Sequence, residues 1–151
     1  MSNPDLPDEH HFARQSTGKQ GRDFSDEQDG YHDPPWLNAR AFQPSPDNPH
    51  ISGLWVERIA DTWANQLERI RTELKESSRN VKKSYQFAII KVEKIKELGR
   101  RFSRDLHVVH APDEKNHLPS HSEIRGIAPE DEALQQKLAD NAQVEPIFPD
   151  P

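Results

Sequence analysis

Between His50 and Ala111 this chain has no proline, although it has 13 in all, and from Leu54 to Leu98 it has no glycine either. Proline removes a backbone donor and clashes with the preceding helical turn. Glycine loses the most conformational freedom on ordering. The stretch free of both is therefore where a long helix meets no interruption, and it also carries most of the large apolar side chains, from Trp55 to Ile95.

Outside that stretch the chain is polar. Hydrophobic residues make up 32%, charged residues 30%, and mean hydropathy is −1.02. Globular domains are about 45–50% apolar. Ordering a backbone costs about 1–2 kcal/mol per residue, so a chain of this composition is expected to order roughly a third to a half of its length. The reading is an acidic, proline-rich, disordered arm over 1–50, a helical interaction region over 51–106, and a disordered acidic tail over 107–151. The tail contains one short helix at 129–142, where Pro129 precedes Glu130, Asp131 and Glu132, and Leu134 and Leu138 lie one turn apart. Within the first arm, Tyr31, Trp36, Leu37 and Phe42 form an aromatic island. It is expected to dock on this protein's own helix or on a partner.

The helix start is signalled by Ser52 as N-cap, by Ile51 and Val56 as a hydrophobic staple, and by Glu57 and Asp61 near the positive end of the helix dipole. A seven-residue repeat then runs Ala60, Leu67, Leu74, Val81, Ala88, Ile95, Phe102. A second stripe starts at Trp63 and Ile70, turns polar at Ser77 and Ser84, and resumes one residue on at Tyr85 and Val92. Two architectures fit. One is a long coiled-coil helix; the other is a helical hairpin that breaks near Glu76–Asn80. The expected fold class is thus all-α, a hairpin or long helix over about residues 52–105 between largely disordered arms. Either form has a thin core and needs company, from a protein partner or a second copy. The expected partner-binding face is Trp55, Ile59, Trp63, Leu67, Ile70 and Leu74, continued by Val81, Ala88, Val92 and Ile95.

Charge is unevenly spread beneath the net −6: residues 1–54 carry −5, residues 55–106 carry +5 and residues 107–151 carry −6. The positive charge concentrates in Arg79, Lys82, Lys83, Lys91, Lys94, Lys96, Arg100, Arg101 and Arg104. Clustered cations attract phosphate through counterion release, so nucleic acid is the alternative partner, with peripheral contact to an anionic membrane behind it. The competing readings are a solvated helix neutralised by the acidic arms and an acidic protein partner.

Other chemistry is thinly represented. There is no cysteine, which removes disulfides, thiolate zinc sites and cysteine nucleophiles. His107, His110, His117 and His121, with Asp113 and Glu114 nearby, have spacings that zinc or nickel could use. Pro112 and Pro119 interrupt the helical geometry that usually presents such pairs, so no metal and no cofactor is expected. No nucleophile elbow, phosphate-binding glycine loop or H-E-x-x-H occurs, and no enzymatic activity is expected. The N-terminus lacks the apolar core of a signal peptide, and the longest apolar run in the helical region is Phe87–Ile90, too short to span a bilayer. The expectation is a cytoplasmic, non-enzymatic interaction or adaptor protein, with signal-independent export as an effector left open.

Overall fold

The structure, a computed structural model, describes residues 4–16, 39–46, 49–57, 63–77 and 86–146. Among these residues, six strands form one sheet: β1 His11–Ser16, β2 Ile51–Val56, β3 Gln86–Lys91, β4 His107–His110, β5 His121–Arg125 and β6 Gln143–Pro146. Three α-helices accompany them: α1 Trp63–Glu76, α2 Val92–Arg101 and α3 Glu132–Asp140. A 3₁₀ helix occupies Ala39–Phe42. The spatial order is β4-β5-β2-β1-β3-β6, and every neighbouring pair is antiparallel.

The all-α expectation is overturned. The region read as one hairpin or coiled coil over 52–105 contains two strands, β2 and β3, as well as α1 and α2. The decisive segment is Phe87-Ala88-Ile89-Ile90. A short apolar run has no periodicity of its own and reads equally as buried helix or as a strand buried on both faces. It is the latter. Phe87 and Ile89 enter one core, with Ala13, Leu54, Val56 and Leu118. Ala88 and Ile90 enter the other, with Phe12 and Ile51. Successive strand residues point to opposite faces, so these two cores lie on opposite sides of the sheet.

Each helix covers one of those faces. Leu67, Ile70 and Leu74 of α1 recur at helical spacing and are buried in the Phe87 core. Val92, Ile95 and Leu98 of α2 and Leu134, Leu138 and Ala139 of α3 are buried in the Phe12 core. The seven-residue stripe is therefore real as a pattern but is no seam. Leu67 and Leu74 serve one face of the sheet, Ala88 and Ile95 the other, and Phe102 is exposed. Ala60 and Val81 lie outside the described residues.

The segments read as disordered arms also contribute. Leu6 and Phe42 are buried in the Phe12 core, while Tyr31, Trp36 and Leu37 lie outside the described residues. The Leu6 amide donates to Val108 and the His110 amide donates to Pro4, so the N-terminal segment covers the outer edge of β4. Arg14 donates to the Ala41 carbonyl at 3.0 Å and the Ser52 carbonyl at 2.8 Å, tying the 3₁₀ helix to β2. Downstream, β4, β5, α3 and β6 occupy the segment read as a tail. Helix α3 falls within the window 129–142, and its narrow apolar stripe suffices because the 3₁₀ helix and α2 pack against it. Among the described residues, no helix is long and apolar enough to cross a membrane.

Candidate functional site

Helix α1 buries one flank and turns another, Gln66, Arg69, Thr72, Glu73 and Glu76, toward a cleft of about 650 Å³. The opposite wall comes from the C-terminal end of β2 (Trp55, Glu57), the end of β4 (His110), and the β4–β5 connection (His117, Pro119, Ser120). Strand ends are where side chains are held by rigid sheet while the backbone leaves it, which suits a site.

The connection is fixed from within. Asp113 and Leu118 exchange backbone hydrogen bonds at 3.0 and 2.9 Å, and the Asp113 carboxylate accepts from the Asn116 side chain at 2.9 Å. Leu118 anchors the loop by burying its side chain beneath α1. His117 adopts a positive φ of 58° at the tip of this turn, a conformation costly for most non-glycine residues.

Trp55 is the centre of the wall. Its indole Nε1–H donates to His10 Nδ1 at 2.8 Å, which makes that nitrogen the acceptor. The His10 ring stacks on it with centroids 5.6 Å apart, and the His110 ring tilts against it at 5.1 Å. His110 Nε2 lies 2.7 Å from the Pro119 carbonyl, so it carries the proton and donates. An aromatic clamp thus joins the N-terminal segment, β2 and β4.

Arg69 bridges the two walls. Its guanidinium donates to Ser120 Oγ at 2.7 Å, the Trp55 carbonyl at 2.8 Å and Gln66 Oε1 at 3.2 Å, and lies 3.9 Å from Glu73. The Ser120 amide in turn donates to Glu73 at 3.4 Å. The arginine is consumed in holding α1 to the sheet end. Among the described lining residues, Glu57, Glu73 and Glu76 outnumber Arg69 and give an excess of negative charge.

The expected partner face is dispersed by the fold. Trp55 lines the cleft, Trp63 opens α1, and Leu67, Ile70 and Leu74 are buried under α1. Ala88, Val92 and Ile95 are buried in the other core. Ile59 and Val81 lie outside the described residues.

The basic residues are divided as well. Arg79, Lys82 and Lys83 lie outside the described residues. Lys96 pairs with Asp8 at 2.8 Å, Arg101 with Glu97 at 2.7 Å and Arg104 with Asp131 at 2.8 Å. Arg100 is exposed on the last turn of α2, while Lys91 and Lys94 border a second, smaller cavity. Of the four histidines, His110 and His117 share the cleft, while His107 and His121 lie outside its lining. His107 sits beside Asp5 and Asp105, His110 bonds Pro119, and His121 Nδ1 donates to the Ala111 carbonyl at 2.7 Å. Among the described residues, no group of three His, Asp or Glu has the geometry to hold a metal ion.

Sequence reasoning missed the cleft's acidic wall. The polar spacing of Gln66, Arg69, Glu73 and Glu76 is visible as a helix flank, but nothing local shows that β2 and the β4–β5 connection stand opposite it. Compared with protein families, curated proteins and solved structures, the chain matches none.

Proposed function

We propose that this protein is a non-enzymatic interaction module whose cleft between α1 and the end of the sheet receives a basic segment of a partner protein. The observation that carries this reading is the cleft's composition. About 650 Å³ of concave surface is lined by Glu57, Glu73 and Glu76, and the one arginine among the described lining residues already holds α1 against Ser120 and Trp55. A lysine or arginine entering there gains three carboxylate neighbours, with aromatic surface from Trp55 and His110 for its aliphatic stem. The rigid clamp around Trp55 supports recognition without rearrangement, which limits the ordering cost of binding.

Titration calorimetry with a Lys/Arg-rich peptide and an acidic peptide of equal length tests it. The basic peptide is expected to bind, more weakly as salt is raised. Glu57→Gln with Glu76→Gln is expected to weaken binding about tenfold or more, since hydrogen bonds to charged groups contribute roughly 1.5–3 kcal/mol each. Equal binding of both peptides, or an unchanged affinity in the double variant, overturns the reading.

A further inference from the structure

A second cavity, of about 310 Å³, is lined by residues of β1, β3, α2 and β6 and has the opposite chemistry. Its polar lining is Lys91 at the end of β3, Lys94 in the first turn of α2, Asn141 at the C-cap of α3, Gln143 at the start of β6, and the buried ring of His11. Among the described residues, no carboxylate lines it, in a protein whose net charge is −6.

The two lysines have neighbouring carboxylates, but at loose distances. Lys91 Nζ is 3.8 Å from Glu93 and Lys94 Nζ is 3.6 Å from Glu97. A charge-assisted hydrogen bond closes to about 2.7–2.9 Å, so neither ammonium is committed as Lys96 is to Asp8 at 2.8 Å. Asn141 is oriented by donating Nδ2–H to the Lys137 carbonyl at 2.8 Å. The N-terminal end of α2 opens beside the cavity and adds positive potential. Its Val92 and Glu93 amides are already bound to His10 and Asp8, so the lysines and Asn141 supply the donors.

We infer that this cavity is a binding site for a phosphate monoester. Two ammonium groups match a dianion, and the Asn141 carboxamide adds an N–H donor to its oxygens. The volume is at the small end of ligand sites, suiting a phosphate group rather than a whole nucleotide. Among the described residues, the lining has no Phe, Tyr or Trp to stack a base, and its one ring, that of His11, is buried. The phosphate can be free or can terminate a larger molecule, and the chemistry at the site is the same. This site is independent of the cleft at α1.

Amide-detected NMR titration of the full chain with inorganic phosphate is the test. Saturable shifts are expected at Lys91, Lys94, Asn141 and Gln143. Lys91→Gln and Lys94→Gln are each expected to weaken binding about tenfold. Lys94→Arg retains it, and Lys115→Gln, outside the lining, leaves it unchanged. Far-UV circular dichroism checks that each variant is folded. Parallel titrations with a 5′-phosphorylated oligonucleotide and its unphosphorylated counterpart separate the sources: a gain from the terminal phosphate assigns it to a nucleic-acid end, and no gain assigns it to a free or small-molecule anion. The inference is overturned if phosphate gives no saturable shift at those amides, or if the doubly substituted Lys91→Gln, Lys94→Gln protein binds it as the native chain does.

Discussion

Replacing Gly53 by alanine distinguishes the sheet from the helix that the sequence suggests at this position. In β2 a Cβ at residue 53 would lie 2.3 and 2.6 Å from Cζ and Cε2 of Phe12 and 2.8 Å from the Ala13 carbonyl oxygen. Carbon–carbon contacts are favourable at about 3.5–4.0 Å, so the ring must retreat by about 1 Å. It has little room: Phe12 is 0% exposed and packed among the side chains of α2, α3 and the 3₁₀ helix. Overpacking of this kind costs about 1–3 kcal/mol. The smaller unfolded-state entropy of alanine returns about 0.4–1 kcal/mol. A net loss of about 1–2 kcal/mol follows, equal to a fall in Tm of about 2–8 °C for a chain of this length. In the first turns of a helix the same substitution would stabilise by about 0.5–1 kcal/mol. Urea unfolding followed by circular dichroism measures the sign directly. An unchanged or raised midpoint refutes the placement of Gly53 beneath Phe12. A second arm pairs the variant with Phe12→Leu. Removing the ring relieves the clash, so the double variant is expected to be more stable than the sum of the two losses by about 0.5 kcal/mol or more.

Leu74→Ala, at a side chain 1% exposed, is expected to cost about 2–5 kcal/mol with an unfolding midpoint independent of protein concentration. Loss of self-association in place of lost stability would return α1 to the role of an exposed seam. Asp131→Asn tests the link between α2 and α3. Its carboxylate accepts from Arg104 Nη2 and from the Ala128 amide, both at 2.8 Å. Burial pushes this carboxyl up, but the Arg104 hydrogen bond, the Ala128 amide and the guanidinium charge outweigh that and hold it below its ordinary value of 3.8. A carboxyl lowered by folding stabilises fully above its ordinary value and loses that contribution as pH falls through the folded one. The stability gap between native protein and Asp131→Asn, about 1–3 kcal/mol at neutral pH, is therefore expected to narrow in acid. A gap that stays constant from neutral pH into acid contradicts the assignment.

How much of this architecture could be read from the chain differs by element. Leu67, Ile70 and Leu74 repeat at helical spacing, and α1 lies where they do. The acidic first turn and paired leucines after Pro129 mark a helix, and α3 is found inside that window. These are local signals, carried by residues within two turns of one another. The strands escaped for the opposite reason. β1 pairs with β3 across about 75 residues, as Phe12 with Ile90, and β2 pairs with β5 across about 70, as Leu54 with His121. No window of sequence contains both partners of such a pair. β3 is apolar at every position from Phe87 to Ile90 because the sheet is covered on both faces, with Phe87 and Ile89 turned to one core and Ala88 and Ile90 to the other.

What the sequence determined by itself is the set of helical stripes, the absence of thiol chemistry and the segregation of charge. Tertiary structure alone decided that the stripes face opposite sides of a shared sheet, and that Trp55, Arg69, Glu73 and His110, 55 positions apart at their extremes, line one acidic cleft. The physical reason is that periodicity is a property of neighbours along the chain, whereas strand pairing and clefts arise from contacts whose energy depends on segments far apart in it.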